Sequence, residues 1–363
     1  MKKFGFGCMR MAMTDGEVDT HTFQPLVDRF LAEGFTYFDT AHGYLSGKSE
    51  TALRECLVKR YPRESYVLTD KLTGGFFQKK EDLPALFADQ LEKTGVSYFD
   101  YYLMHALTEE HYQKFERCEA FAFARQLKQE GKIRHLGISF HDRADVLEKI
   151  LTEHPEIEVV QIQFNYADYD DPTIQSKKAY DVCVRFGKPV IVMEPCKGGG
   201  LIDLPDEARA VLQPLGGSPA SYAIRFAASF PQVMMVLSGM NDRQQLEDNL
   251  GFMKDFQPLS AKEQEAITKV RAILHQQHAI ACTACRYCTD GCPKRISIPD
   301  LFACLNQKNR YKDWNSDFYY GVSTAGKGKA SDCIGCGRCE RVCPQHLPIR
   351  QLLKDVAAAL ERA

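Results

Sequence analysis

The sequence predicts an α/β protein in which a parallel (β/α)8 TIM barrel is followed by a small, mainly helical, cysteine-rich domain. Three observations carry this. Through about residue 275, eight short apolar runs alternate in strict order with eight longer amphipathic stretches. The 363 residues leave room for a barrel of about 250 residues plus an appendage. Nine of the fourteen cysteines lie beyond residue 281.

The first expected strand is Phe4–Gly7, ahead of a helical stretch at 22–33. Tyr37–Thr40 precedes 49–60, Tyr66–Asp70 precedes 81–94, and Tyr98–Met104 precedes 110–130. His135–Phe140, Val159–Phe164, Val190–Met193 and Met234–Ser238 are followed in turn by 142–153, 173–186, 217–229 and 242–254. Strict alternation favours a closed parallel barrel over an open sheet. Ser260-x-x-Glu263 is a capping box that opens a final barrel helix, Ala261–Leu274. The boundary falls near 276–281, dividing the chain into 1–278 and 279–363. No low-complexity linker separates the two parts, so they are expected to dock.

Charge and hydropathy narrow the function classes. Charged residues make up 26% and hydrophobic ones 44%, an ordinary balance for a folded chain. A formal net charge of −2 advertises neither nucleic acid nor a membrane surface as partner. Apolar runs such as Pro189–Met193 are far too short to span a bilayer, and the start of the chain has no signal-peptide core. A cytoplasmic location is expected. In that compartment disulfides are disfavoured, so the cysteines need another use.

Eight of the nine late cysteines form two identical runs. The first is Cys282-x2-Cys285-x2-Cys288-x3-Cys292-Pro293, and the second is Cys333-x2-Cys336-x2-Cys339-x3-Cys343-Pro344. Two-residue spacers turn successive thiolates onto one face of a cubane. The fourth cysteine, followed by a proline that bends the chain away, reaches the other cluster. This is the ligand run of bacterial ferredoxins, written twice. It assigns one [4Fe–4S] cluster to Cys282, Cys285, Cys288 and Cys343, and a second to Cys333, Cys336, Cys339 and Cys292. A zinc knuckle would leave the third cysteine and the Cys-Pro without a role. Between the runs, Pro299–Leu305 reads as a helix opening, and Ile349–Leu360 as a last helix. So long an insertion resembles the α-helical ferredoxin type. Cys304, Cys8, Cys56, Cys118 and Cys183 read as core, and Cys196 as packed.

Barrel chemistry gathers at the carboxyl ends of the strands. There the chain places Asp39 and Tyr44 after strand two, Lys71 after strand three and His105 after strand four. Singly these would be a turn cap, a rim aromatic, a solvated charge and a core histidine. Together they suit proton donation. A lysine beside a phenol favours the phenolate and is expected to lower its pKa, a carboxylate holds the lysine charged, and an imidazole orients a carbonyl oxygen. Ser238-Gly239 closes the last strand and opens a helix, offering backbone N–H groups to a phosphate.

Gly5-Phe-Gly-Cys-Met-Arg10, Phe38-Asp-Thr-Ala-His-Gly-Tyr44, Thr69-Asp-Lys71, Tyr101-Tyr-Leu-Met-His105, Gly131–Ser139, Val160–Asn165 and Leu246-Glu-Asp-Asn249 resemble the aldo-keto reductase superfamily. The resemblance covers about the first 275 residues. The whole chain is similar to a subgroup carrying a C-terminal domain with two [4Fe–4S] clusters. It implies that Tyr44 is the general acid, Lys71 tunes it, Asp39 steadies Lys71 and His105 positions a small carbonyl substrate. It further implies an NADP (or NAD) cofactor contacted by Ser139, Gln161 and Asn165 at the nicotinamide, and by Ser238, Gly239, Gln245, Asp248 and Asn249 beyond it. Phe140 stands where the family places an asparagine, and Met193-Glu194-Pro195 where many members stack a tyrosine. The lysine that many NADP users place after strand eight is absent, with Arg243 the nearest base. Glu194 is expected to pair with a basic side chain, and Gly198-Gly199-Gly200 to give its loop room near the cofactor.

The reading is therefore an NAD(P)-linked iron–sulfur oxidoreductase acting on a carbonyl or alcohol. A nicotinamide exchanges hydride whereas a cluster passes single electrons, so their coupling calls for a flavin or a redox partner protein. No flavin fingerprint is present in the sequence. The alternatives are an electron-carrier or docking protein with a scaffold barrel, or a reductase whose clusters only staple the small domain.

Overall fold

The computed structural model describes residues 2–171, 174–276, 280–311 and 314–361. Among them eight parallel strands close into a barrel: β1 (Phe4–Gly7), β2 (Tyr37–Asp39), β3 (Val67–Thr73), β4 (Phe99–Leu107), β5 (Ile133–Phe140), β6 (Val159–Gln163), β7 (Val190–Met193) and β8 (Val233–Ser238). Each pairs with the next in chain order, and β8 pairs with β1 to complete the ring. Most strand residues are buried on both faces, which is why these segments run apolar instead of alternating. Tyr37, Leu103, Val159, Ile191, Met235 and Leu237 fill the barrel interior. At Gly137 a Cβ would lie 2.5 Å from both Leu103 Cδ2 and Val159 Cγ1, so only glycine fits there.

Two strands outrun their expected ends, and this matters for the site. β3 continues to Thr73 and β4 to Leu107 because pairing persists through Lys71↔Leu103, Leu72↔Met104 and Thr73↔His105. Lys71 and His105 are thus held inside strands instead of on loops.

The helices outside the barrel follow the expected order with local differences. These are α1 (Thr20–Ala32), α2 (Lys48–Leu53), α3 (Leu83–Thr94), α4 (Glu109–Arg117), α5 (Ala120–Gln129), α6 (Ala144–Glu153), α7 (Ser176–Arg185), α8 (Asp206–Leu212), α9 (Pro219–Ala228), α10 (Arg243–Met253) and α11 (Ala261–Gln276). The single helix expected at 110–130 is two, broken where Glu119 takes a φ of 54°. α8 and a small hairpin, Met13–Thr14 with Glu17–Val18, were not foreseen from periodicity. The capping box at α11 forms as read: Ser260 N donates to Glu263 Oε2 (2.7 Å) and Glu263 N to Ser260 Oγ (3.3 Å). No helix among the described residues is long and apolar enough to cross a membrane.

The cysteine-rich part holds α12 (Tyr287–Asp290), α13 (Ile298–Tyr311), α14 (Asn315–Thr324), α15 (Arg338–Arg341) and α16 (Ile349–Leu360) around its own core of Leu301, Phe302, Tyr319, Leu353 and Val356. The division expected between 278 and 279 lies outside the described residues. The two parts do dock, on the loops after β5, β6 and β7. Gln307 Nε2 donates to Asp171 Oδ2 (2.8 Å), Ile174 joins the small core, and the Phe318 ring meets His141 edgewise at 5.2 Å.

Candidate active site and cluster cradles

The four rim residues converge. Lys71 Nζ, fully buried, donates to Asp39 Oδ1 (2.5 Å), to the Thr40 carbonyl (2.7 Å) and to Tyr44 Oη (3.3 Å). The Tyr44 and His105 rings stand 5.6 Å apart. Thr73 Oγ1 engages His105 Nδ1 at 2.7 Å, so Nε2 is the ring nitrogen outside this contact. Tyr44 is presented by a tight turn in which Leu45 and Ser46 take positive φ values of 52° and 57°.

The buried Lys71–Asp39 pair explains the electrostatics. Burial opposes a charge on Lys71, yet Asp39 and Tyr44 together hold its pKa above the ordinary lysine value. Stripping one partner from such a pair typically costs about 3–5 kcal/mol. Tyr44 corrects the sequence expectation: burial lifts the phenol above its ordinary value, outweighing the pull of Lys71. Desolvation is the largest influence, and the Asp39 carboxylate adds to it against the lysine. Burial, aided by Lys71, pushes His105 well below the usual imidazole range, so it is neutral at neutral pH.

A testable consequence concerns pH. If Tyr44 is the general acid, as the family resemblance implies, it works only while protonated, and raising its pKa extends the protonated form upward. Carbonyl reduction is expected to keep its kcat through about pH 9, with any fall lying above the ordinary phenol value of about 10. A pH–rate profile that falls as pH rises through about 7 would contradict this.

Asp39 and Tyr44 line a cavity of about 1000 Å³ that is also lined by Ser238, Gly239, Gln245, Asp248 and Asn249. Asn249 Nδ2 donates to Ser238 Oγ (3.0 Å), and Asp248 accepts from Ser218 Oγ (2.6 Å). Arg10 and Glu194, which both line this cavity, pair at 3.3 Å, so Glu194 has its basic partner. Arg243 is largely exposed and lies 3.5 Å from Glu247. Ser139 and Gln161 face each other in register on β5 and β6, and Gln161 Nε2 donates to Asp39 Oδ2 (3.1 Å).

Asn165 is placed differently. Its amide nitrogen donates to Asp168 and to the Glu194 carbonyl, and its oxygen accepts from the Ala167 and Asp168 backbone. That side chain is taken up in holding its loop. Cys196 is a thiol whose pKa burial pushes up to about 12, in keeping with a packed role.

Two features escaped the sequence reading. His141 is buried beside Ser139, and the buried pair Lys197–Asp168 (2.5 Å) sits beneath the docked domain. The pair spans two loops, so no local pattern announces it.

The cysteines gather in two cradles with the fourth members exchanged. One is ringed by Cys282, Cys285, Cys288 and Cys343, the other by Cys292, Cys333, Cys336 and Cys339. Ile298 lines both, with Phe302 on the first and Leu353 on the second. The loops repeat one backbone. Positive φ values flank the second cysteine of each run, at Ala284 (53°) and Arg286 (65°), then at Gly335 and Gly337 (both 71°). Four sulfur donors per cradle in an apolar setting fit the cluster chemistry that the spacing implies.

Comparison with known proteins agrees with this geometry. The model of the aldo/keto reductase family matches residues 3–272, and that of a 4Fe-4S dicluster domain matches residues 281–347. An uncharacterized oxidoreductase of Schizosaccharomyces pombe is 24% identical over 263 residues, covering 69% of this chain and 81% of that protein. Among solved structures, an aldo-keto reductase from Bacillus halodurans in its holo form superposes with a TM-score of 0.62 at 24% identity, covering 74% of this chain and 91% of that one. An aldo-keto reductase from Klebsiella pneumoniae in complex with NADPH does so at 0.59 and 20%, covering 74% and 90%. These two likenesses establish the fold. The chain belongs to the aldo/keto reductase family. It is an NAD(P)-dependent oxidoreductase of aldo-keto type that carries an iron–sulfur domain.

Proposed function

We propose that Asp39, Tyr44, Lys71 and His105 interconvert a small carbonyl compound and its alcohol, and that the eight cysteines hold two [4Fe–4S] clusters that relay electrons. The observation that carries the first part is the Lys71–Tyr44–Asp39 contact set, whose Asp39 and Tyr44 line a cavity of about 1000 Å³. When bound, a reduced nicotinamide supplies hydride and the clusters supply one-electron transfer. His105 receives the carbonyl oxygen and orients it. Tyr44 Oη then gives that oxygen its proton as negative charge develops, and Lys71 stabilises the phenolate left behind. Asp39 keeps Lys71 charged and aimed.

On this reading Ser139 and Gln161 hold the nicotinamide end, while Ser238, Gly239, Gln245, Asp248 and Asn249 hold the rest. Its likeness to an aldo-keto reductase solved with NADPH supports NADP as the cofactor. Asn165 acts through its loop. The domains divide at 278/279. Electron exchange between nicotinamide and clusters calls for a flavin or a redox partner protein, because hydride carries two electrons and a cluster takes one.

Anaerobic electron paramagnetic resonance before and after adding NADPH tests the coupling, with dithionite as control. A reduced-cluster signal with NADPH supports communication through a mediator held by the protein. Silence with NADPH but signal with dithionite removes direct communication and leaves the barrel a self-contained carbonyl reductase.

A further inference from the structure

The loop that follows β7, residues 196–202, has two faces. Cys196, Gly198, Gly199 and Ile202 line the large cavity that reaches Tyr44. Lys197 and Gly200 meet the cluster domain instead. Lys197 Nζ lies 4.8 Å from the centre of the Tyr311 ring, at the end of α13, and 2.5 Å from Asp168 Oδ1. A Cβ on Gly200 would stand 2.5 Å from Tyr311 Cδ1. Gly200 itself has an ordinary helical φ of −62°, so its missing side chain makes room for Tyr311 and not for a turn.

The loop's conformation needs support. Three successive residues take left-handed backbone, Lys197 (49°), Gly198 (62°) and Gly199 (101°), and only two of them are glycine. Lys197 is almost wholly buried, which a cation tolerates only when paired. Asp168 supplies that pair and is itself fixed by Gln163 Nε2 and Asn165 Nδ2, both at 2.7 Å. The Tyr311 ring lies against Lys197 Nζ at 4.8 Å and packs on Gly200. Tyr311 lies outside the barrel match, which ends at residue 272.

We propose that Tyr311 is a positioning residue for the cofactor site, through which the docked cluster domain holds the 196–202 loop in the shape the dinucleotide cavity requires. The inference rests on the reading of that cavity as the NAD(P) site. It makes cofactor affinity depend on a domain that does not touch the cofactor, through one ring, one glycine and one buried ion pair.

The test uses full-length protein with its clusters, titrated with NADPH and NADH by fluorescence. Tyr311→Ala is expected to weaken binding of the preferred dinucleotide about tenfold. Tyr311→Phe, which keeps the ring, is expected to bind within about twofold of wild type. KM for the cofactor rises with little change in kcat, since no tetrad atom is moved, and the iron–sulfur visible absorption stays as in wild type. Gly200→Ala is expected to weaken binding similarly alone and to have little further effect in a Tyr311→Ala background, because the ring it collides with is gone. Wild-type affinity in Tyr311→Ala with clusters intact would overturn the proposal, as would additive losses in the double variant. Should Tyr311→Ala lose its clusters, Gly200→Ala decides, since it alters only the barrel; wild-type affinity there overturns the proposal. If the unaltered protein binds neither dinucleotide, the cofactor reading fails and the proposal with it.

Discussion

Tyr44→Phe is expected to slow carbonyl reduction by about 10²–10⁴-fold, the usual worth of a positioned general acid. The substitution is a narrow one. The ring keeps its packing against His105 at 5.6 Å and beneath Lys71 Nζ at 4.8 Å, and only the hydroxyl is lost. Lys71 keeps Asp39 at 2.5 Å and the Thr40 carbonyl at 2.7 Å, so no buried charge is stranded. Iron content and thermal stability should therefore match the wild type, and cofactor affinity should change little. Single-turnover reduction of a panel of aldehydes and ketones measures the effect. A rate within a few-fold of wild type would remove Tyr44 from the chemistry. No measurable reduction by either protein would favour the scaffold reading of the barrel.

Cys343→Ser is expected to abolish or convert the cluster cradled by the first cysteine run while sparing the one cradled by its own. Cys343 closes the ring with Cys282, Cys285 and Cys288, whereas Cys333, Cys336 and Cys339 are completed by Cys292. Iron should fall by about half, and the small domain should lose stability because ligation contributes directly to its folding. Pairing the substitution with others makes the exchange visible. Cys343→Ser with Cys285→Ser strikes one cluster twice and should lose no more iron than the worse single variant. Cys343→Ser with Cys336→Ser strikes both and should lose nearly all of it. The opposite pattern would mean that each run builds its own cluster. The effect is large because each cradle draws its fourth sulfur from the other run, while Ile298, which lines both, is untouched by the substitution.

What the chain declares in one dimension is what depends on short-range spacing. The order of eight strands and their helices is written in hydrophobic periodicity, and the Ser260/Glu263 cap and the last helix, Ile349–Leu360, form at the residues read for them. The cysteine runs declare ligand chemistry for the same reason, since a two-residue spacer has little freedom. The convergence of Asp39, Tyr44, Lys71 and His105 was legible because barrel topology brings neighbouring strands side by side.

The rest was decided by contacts between residues far apart in the chain. Lys71 and His105 lie inside strands because pairing between β3 and β4 outlasts their apolar runs. Burial, with the Asp39 carboxylate, lifts the Tyr44 phenol above its ordinary value against the pull of Lys71, a balance set by burial and not by neighbours in sequence. Asn165 matches a family motif, yet its amide is consumed by Asp168 and the Glu194 carbonyl. The Gly198–Gly200 run reads in sequence as one stretch that gives its loop room near the cofactor. Only docking shows that Gly198 and Gly199 face the cavity while Gly200 makes way for Tyr311. Periodicity and spacing act over a few residues, whereas burial and domain docking join loops that no local pattern relates.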